Sequence, residues 1–329
     1  MIHFETPRYT LVLGSGGVKS IAGLGVMDVL EREGLLPSAV VGCSAGAIFG
    51  AVIAAGHTAR SATEMATRLW SRDITSQRRH RALFEVALPR LAGFGEQFAL
   101  RHDGLICQRL FEAFGDLHIE HLPLPLRVQA TDALNGASVL LTQGRVVDAL
   151  RASVALPFLF APQRIGDRLL VDGSLSEPLP LAGVEPGHVT LALGFRVPFP
   201  RRCDSATRLA TRTTAALSNN LLEARVATAD ASRLVLMLPE LQRRVGLFDT
   251  EAMPYLVDLG RRAAEAALPR LRLLLDWRAT TTPETPGISR HRSGAAPDNP
   301  AACLPCTCPH ACSSSSTTRC CVRPCSSIK

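Results

Sequence analysis

The stretch Val41-Gly42-Cys43-Ser44-Ala45-Gly46 places a serine between two glycines, where an apolar segment passes into a helix-like one. The residues before it, Ala39-Val40-Val41, are typical of a short buried strand, and those from Ala47 onward are typical of a helix. A sharp strand-to-helix turn strains the serine backbone and brings neighbouring backbone close, so glycine is required on both sides. This arrangement is typical of a nucleophile elbow. It predicts Ser44 as the nucleophile of an acyl-transfer enzyme, framed by Gly42 and Gly46.

A similar strand and helix precede this turn. Residues 9–13 form an apolar strand that ends in the loop Gly14-Ser15-Gly16-Gly17. Residues 20–33 then show the apolar face of a helix, with Gly34 as its stop signal. The order strand, helix, strand, helix predicts a right-handed βαβ unit and a mostly parallel sheet. We therefore expect an α/β fold in which helices flank a central sheet.

The glycine-rich loop after the first strand can be compared with three loop chemistries. A phosphate-binding P-loop requires glycine directly before its lysine, where this chain has Val18. A dinucleotide fingerprint requires glycine at the position of Lys19. The third chemistry is an oxyanion hole, in which backbone N–H groups point at one spot beside the nucleophile. A tight turn alone would explain the glycines, but their position beside the predicted elbow favours an oxyanion hole formed by Gly14, Ser15, Gly16 and Gly17.

The sequence offers two kinds of base for Ser44. An ordinary α/β-hydrolase would use a histidine late in the chain. None of the downstream histidines lies in a convincing loop motif, and an elbow after only two strands is early for that fold. Asp172-Gly173-Ser174 instead places a carboxylate in a tight turn after a predicted strand. A partly desolvated aspartate has a raised pKa and can act as a base, whereas turn capping is its purely structural alternative.

Composition limits the classes of partner. The chain has 329 residues, of which 47% are hydrophobic, so it can bury a large core. The net charge of +7 favours weak attraction to anionic surfaces such as phospholipid headgroups, although an arginine-rich surface explains it more simply. Aromatic residues make up only 5% of the chain, so no nucleic-acid partner is expected. The first residues lack the features of a signal peptide, which predicts a cytoplasmic protein. Peripheral contact with a membrane surface is an additional expectation that the positive charge allows.

Residues 34–59 contain no charged side chain and are long enough to suggest a membrane span. They also contain the G-x-x-x-G spacing of a helix-dimer face, which makes a membrane-anchored helix pair an alternative. Proline, serine and glycine dilute the hydrophobicity of this segment. A buried strand, a tight turn and a buried helix explain the same pattern, so we favour the α/β interpretation.

Apolar periodicity predicts further elements along the chain. Further strands are predicted at residues 126–131, 138–142, 168–172 and 188–194. Helices are predicted at residues 62–70, 104–114, 146–153, 221–230 and 255–277, and Pro269 is expected to kink or divide the last one. The basic residues 78–81 and the apolar-rich residues 83–100 are typical of an amphipathic helical layer or, alternatively, of an interfacial segment beside the active site.

The composition changes after residue 278. Residues 279–329 are rich in Pro, Ser, Thr and Cys and have no hydrophobic period, which predicts a disordered tail. The tail follows one predicted catalytic domain at residues 1–278. A frameshift at the end of the gene would also explain this change. Zinc binding is an alternative for the tail, but the ligand spacing is irregular and no second regular pair follows. Its candidate ligands are Cys303, Cys306, Cys308, His310 and Cys312.

Between Thr10 and Leu181 the chain resembles the patatin-like phospholipases through several collinear motifs. They are the glycine-rich loop with Lys19, Gly42-x-Ser44-x-Gly46, Ala130-Thr131-Asp132, Arg151-Ala152-Ser153 with Leu156-Pro157, and Asp172-Gly173. The resemblance implies a three-layer fold and a catalytic dyad of Ser44 as nucleophile and Asp172 as base. It also implies that Gly16 and Gly17 supply backbone oxyanion donors while Gly14 shapes the loop. No metal and no cofactor are implied.

The chain departs from the family pattern at three positions. Ser15 and Ser20 replace glycines of the pattern G-G-G-x-[KR]-G, and Ser174 replaces the second glycine of the usual D-G-G or D-G-A. Because Ser15 keeps its backbone N–H, the oxyanion hole is expected to survive. The implied reaction is hydrolysis of a carboxylic ester of a phospholipid or lysophospholipid through an acyl-serine. The alternative is a catalytically silent lipid-binding or regulatory protein on the same scaffold.

Overall fold

A computed structural model describes residues 8–70, 79, 82, 85, 88 and 95–280, with side chains as far as residue 275. Its strands, in chain order, are β1 (Tyr9–Leu13), β2 (Ala39–Cys43), β3 (Leu126–Asp132), β4 (Ser138–Leu141), β5 (Gln163–Ile165), β6 (Arg168–Asp172), β7 (Val189–Leu193) and β8 (Leu234–Met237). They form one sheet in the order β5-β6-β3-β2-β1-β7-β8, with β4 also paired to β3.

The α-helices of the described residues lie between these strands and after the last one. They are α1 (Ala22–Arg32), α2 (Ala45–Ala54), α3 (Ala59–Leu69), α4 (Gly104–Phe114), α5 (Val146–Ser153), α6 (Ala206–Thr228) and α7 (Met253–Thr280). A 3-10 turn at Gly17–Ile21 precedes α1. The helix predicted from residue 20 therefore begins two residues later as a regular α-helix.

The centre of the sheet is parallel. β1 pairs in parallel with β2 and β7, β2 pairs in parallel with β3, and β7 pairs in parallel with β8. All five residues of β1 and all five of β2 are buried, as expected for parallel strands covered on both faces. Because Leu13 lies opposite Gly42, the loop after β1 and the turn after β2 meet at the same edge of the sheet. That edge carries the candidate site.

Helices cover both faces of the sheet, which confirms the predicted three-layer α/β arrangement. Alternate residues of β1 point to opposite faces. Leu11 and Leu13 pack into the large core that also contains α1, α2 and α7. Val12 packs on the other face with Leu179 and with Leu222 of α6.

Helices α1 and α7 cross at unusually close range because each presents a glycine to the other. A Cβ atom on Gly25 of α1 would lie 1.9 Å from the carbonyl oxygen of Val257 in α7. A Cβ atom on Gly260 of α7 would lie 1.9 Å from the carbonyl oxygen of Ala22 in α1. The two backbones therefore touch directly, and no other residue type fits this crossing.

The structure corrects several predicted elements. The helix predicted at residues 221–230 begins at Ala206 instead, and α7 runs undivided through Pro269. Strands β5 and β8 were not predicted. The uncharged segment 34–59 divides into β2, α2 and the start of α3 rather than a continuous helix. In the described ranges no helix combines the length and apolar character that crossing a bilayer requires.

Two predicted segments fall largely or wholly outside the described residues. Of the basic residues 78–81 only Arg79 is described, and of the apolar-rich residues 83–100 only 85, 88 and 95–100 are. The tail from residue 281 onward, with its candidate zinc ligands, lies outside the described residues altogether.

Candidate active site

The candidate nucleophile lies in a strained turn between β2 and α2. Ser44 has φ 55° and ψ −131° and, apart from Phe158, is the only non-glycine residue with positive φ in the described part of the chain. A Cβ atom on Gly42 would lie 2.4 Å from Cα of Ala47, and one on Gly46 would lie 2.4 Å from the carbonyl oxygen of Leu13. Both glycines are therefore required by close backbone approach, and the turn holds Ser44 in a conformation that the surrounding fold must stabilise.

The carboxyl end of β6 brings Asp172 to this serine. The Ser44 hydroxyl donates a hydrogen bond of 2.7 Å to Oδ2 of Asp172. The other carboxylate oxygen, Oδ1, accepts the backbone N–H of Ser174 at 2.8 Å. A Cβ atom on Gly173 would lie 2.4 Å from the carbonyl oxygen of Gln129, so glycine is needed in the turn after the aspartate. The two hydrogen bonds fix the orientation of the carboxylate and leave Oδ2 directed at the serine.

Burial changes the acidity of this carboxylate. Asp172 is only 2% exposed. Removal from water raises the pKa of Asp172 above its ordinary value, while hydrogen bonds from the Ser174 backbone and the Ser44 hydroxyl act in the opposite direction. A carboxylate with a raised pKa is a stronger proton acceptor than a solvated one, which suits a general base.

Two buried hydroxyl groups form hydrogen bonds with the backbone of Ser44 and of Asp172. Ser153, at the end of α5, accepts the backbone N–H of Ser44 at 2.8 Å and donates to the carbonyl oxygen of Gln129 at 2.6 Å. Thr131 donates to the carbonyl oxygen of Asp172 at 2.9 Å. Both residues lie in motifs that carried the family resemblance, but their sequence positions did not show these contacts, which span 109 and 41 residues.

The glycine-rich loop contributes fewer free amides than the sequence suggested. The N–H of Gly14 donates to the carbonyl oxygen of Leu193 at 2.8 Å, and the N–H of Ser15 donates to that of Pro178 at 2.8 Å. These two amides are therefore occupied. Within the described residues, the amides of Gly16 and Gly17 have no acceptor, and both glycines line the same cavity as the dyad. Gly17 has φ 59°, a conformation that favours glycine.

Two further contacts shape this loop. The hydroxyl of Ser20, which replaces a family glycine, donates to the carbonyl oxygen of Gly14 at 2.9 Å. Ala45 is the first residue of α2, so its N–H has no acceptor inside the helix, and it directly follows Ser44. The amides of Gly16, Gly17 and Ala45 are thus the candidate oxyanion donors.

Ser44 and Asp172 open into a cavity of about 380 Å³. Its walls are mainly apolar, and the described residues that line it include no histidine. Lys19 also lines it, with its ammonium group 5.6 Å from the centre of the Phe195 ring, and burial lowers the pKa of this lysine. The apolar lining consists of Trp70, Ile106, Val154, Leu156, Leu159, Phe160, Pro178, Phe195, Val197, Pro198, Leu222, Val245, Leu247 and Phe248.

The cysteine next to Ser44 is buried, and no described histidine lines the cavity that Ser44 and Asp172 share. Cys43 is fully buried, and burial together with the nearby Asp172 and Glu177 raises the pKa of its thiol, which keeps it protonated. His188 lies at the amino-terminal end of β7 and contacts Thr10 at 2.9 Å, at the opposite edge of the sheet from Ser44. His80, His291 and His310 lie outside the described residues.

Comparison with known proteins gives relatives for part of the chain. An uncharacterized NTE family protein of Mycobacterium tuberculosis H37Rv is 34% identical over 180 residues, which cover 55% of this chain and 46% of the relative. The protein called lysophospholipase NTE1 of Cryptococcus neoformans is 27% identical over 179 residues, which cover 52% of this chain and 10% of that protein. The matches thus span about half, or much less, of the relatives' own lengths.

Solved structures and a family model complete the comparison. The crystal structure of VipD from Legionella pneumophila matches with a TM-score of 0.44 and 15% identity, over 81% of this chain and 67% of that chain. The family model described as patatin-like phospholipase matches residues 11–184, more than half of the chain. Those residues contain the glycine-rich loop, the Ser44 turn and Asp172. The chain belongs to the patatin-like phospholipase family.

Proposed function

We propose that the protein hydrolyses carboxylic esters of phospholipids or lysophospholipids through an acyl-enzyme formed on Ser44. The observation that carries this proposal is the 2.7 Å hydrogen bond from the Ser44 hydroxyl to a buried Asp172 at the wall of an apolar cavity. A nucleophile and base within hydrogen-bond reach are the minimal requirement for covalent acyl transfer. Family membership supports lipid hydrolysis in general.

In the proposed reaction, Asp172 accepts the proton of the Ser44 hydroxyl as the serine oxygen attacks the ester carbonyl. The negative charge that develops on the carbonyl oxygen is stabilised by the free amides of Gly16 and Gly17, with Ala45 as a third donor. Collapse of the tetrahedral intermediate breaks the ester C–O bond, and Asp172 returns the proton to the leaving alcohol. Water, deprotonated by Asp172, then attacks the acyl-serine. The bond to the Ser44 oxygen breaks as Asp172 returns the proton to that oxygen, which releases the fatty acid and restores the enzyme.

The cavity and the relatives both support the proposed substrate class. The cavity wall is mostly apolar, which suits an acyl chain, and the Lys19 amine adds a polar group to the lining. The Cryptococcus relative is named a lysophospholipase, which supports a lysophospholipid among the substrates. Removal of one acyl chain from a diacyl phospholipid uses the same chemistry.

The proposal is tested by an assay with a lysophosphatidylcholine, in which turnover is measured as the release of free fatty acid. Ser44→Ala and Asp172→Asn are each expected to lower kcat/KM by at least about 10²–10⁴-fold, since each removes the nucleophile or its base. Asp167→Asn is the matched control, because this exposed aspartate lies in the turn between β5 and β6. Retained turnover in either dyad variant contradicts the mechanism, and lipid binding without turnover in the unaltered protein favours the regulatory alternative.

A further inference from the structure

One side of the catalytic cavity is formed by a surface that the proposed reaction does not use. We call it the cationic rim and define it as residues 195–202, residues 206–217 of α6 and residues 243–248. The rim is continuous with the cavity, because members of all three segments line it. Those members are Phe195, Val197, Pro198, Thr211, Val245, Leu247 and Phe248.

Hydrogen bonds attach the loop of the rim to α6. The buried side chain of Asn219 accepts the N–H of Val197 at 2.8 Å and donates to its carbonyl oxygen at 3.0 Å. Arg212 donates to the carbonyl oxygen of Pro200 at 3.1 Å, which ties the loop to α6 a second time. These contacts fix residues 197–200 against the helix.

The rim carries an excess of positive charge. Residues 196–212 contain five arginines and a single acidic residue, Asp204. Arg196 and Arg208 form ion pairs with Glu223 and Asp204. Arg201, Arg202 and Arg244, in contrast, are exposed and form no ion pair with the described part of the chain. Exposed, unpaired arginines in segments that also line the cavity attract an anionic surface.

Large apolar side chains of the rim are exposed as well. Phe199 is 53% exposed, Leu209 is 58% exposed and Leu217 is 66% exposed. Residues 206–214 of α6 are exposed throughout, so the described residues leave the first part of this helix open to its surroundings. Exposed apolar side chains together with unpaired arginines are typical of surfaces that lie in the headgroup region of a bilayer.

We propose that the cationic rim docks the protein on an anionic phospholipid bilayer, with the mouth of the catalytic cavity against the lipid. Phe199, Leu209 and Leu217 enter the headgroup region, and Arg201, Arg202 and Arg244 bind lipid phosphates. This inference rests on the proposed function, because it supplies the route by which a lipid ester reaches Ser44. The charge of the rim selects an anionic lipid surface over a neutral one.

The test is sedimentation of the full-length protein with vesicles, in a chain that carries Ser44→Ala so that binding is measured without turnover. Vesicles of phosphatidylcholine alone are compared with vesicles that also contain phosphatidylglycerol. Arg201→Gln with Arg202→Gln is expected to weaken binding to the anionic vesicles about 30-fold, and Phe199→Gln is expected to weaken it as well. Binding by the chain with unaltered rim is expected to fall as salt increases.

A matched control lies on another side of the molecule. Arg270 and Leu273 are both exposed on α7, and Leu273 is 58% exposed. Arg270→Gln with Leu273→Gln removes the same kinds of side chain and is expected to leave vesicle binding unchanged.

Three results would overturn the docking surface: equal binding of anionic and neutral vesicles, equal loss in the rim and control variants, or self-association through Phe199 without vesicle binding. Failure of the proposed function gives a different outcome, in which the Ser44→Ala chain binds anionic vesicles through the rim but the unaltered enzyme releases no fatty acid.

Discussion

At the scale of single residues, the acidity of Asp172 governs the proposed chemistry. Its carboxylate must be ionised to accept the serine proton, and burial raises its pKa above the ordinary value of 3.8. The acidic limb of kcat/KM is therefore expected to have its midpoint above pH 3.8, with activity lost as the pH falls through it. A pH-rate profile on a monomeric ester measures this limb. A midpoint at or below 3.8 contradicts the assignment of Asp172 as the base.

The same shift affects folding stability. Since the folded pKa is the higher one, the folded protein binds the proton more tightly than the unfolded chain. The contribution of Asp172 to stability is therefore largest below pH 3.8 and is lost as the pH rises through the folded pKa. The ionised form of Asp172 therefore contributes less to folding stability than the protonated form does.

Ser153 is the residue whose role the sequence did not show. Ser153→Ala leaves the N–H of Ser44 and the carbonyl oxygen of Gln129 without their partner. We expect a loss of about 1–3 kcal/mol in the free energy of unfolding, measured by urea denaturation, because buried polar groups are left unpaired. A fall in kcat with little change in KM is also expected, since the nucleophile loses its backbone support. Ser153→Thr keeps the hydroxyl and serves as the control, and equal effects of both substitutions contradict this role.

Local motifs determine which residues could be predicted at this scale. The glycines around Ser44 follow from backbone clashes with residues close in sequence or on the adjacent strand, so the turn could be predicted. The occupied amides of Gly14 and Ser15 could not, because their acceptors, Leu193 and Pro178, lie more than 160 residues away. The candidate oxyanion donors are accordingly fewer than the sequence indicated.

At the scale of elements, the crossing of α1 and α7 depends on direct contact between the two helix backbones. Gly260→Ala places a methyl group against the carbonyl oxygen of Ala22, which cannot move without shifting α1. We expect the free energy of unfolding to fall by about 1–3 kcal/mol or more, measured by chemical denaturation. Gly104→Ala is the control, since a Cβ there meets no atom within 4 Å. Equal stability of the two variants would show that the helices separate more easily than their packing indicates.

Periodicity predicted the elements that bury an apolar face and missed those that do not. α4 and α5 were predicted with their observed bounds because each presents buried residues at helical spacing. The first residues of α6, 206–214, are all exposed, so no apolar face at helical spacing indicated that the helix begins at Ala206. β8 has only four residues and lies at the edge of the sheet, which leaves too short a pattern to recognise.

At the scale of the whole molecule, we propose that residues 1–278 form the catalytic domain and that the tail is not needed for it. Because α7 extends to Thr280, a chain ending at residue 282 keeps the whole helix. We expect this shortened chain to hydrolyse lysophospholipid with kcat/KM within about twofold of the full chain, since none of the described cavity residues follows Phe248. Loss of turnover with unchanged thermal unfolding would show that the tail takes part in the reaction.

The parallel pairing of β1 and β2 brings the glycine-rich loop and the Ser44 turn to one edge of the sheet. At that edge Asp172, at the end of β6, forms its hydrogen bond with Ser44. The most direct test of the dyad is labelling by a fluorophosphonate, with the modified residue located by peptide mass spectrometry. The account predicts a single adduct on Ser44, absent in Ser44→Ala and formed about 10²–10⁴-fold more slowly in Asp172→Asn. An adduct on another residue, or labelling of Asp172→Asn at the unaltered rate, would contradict it.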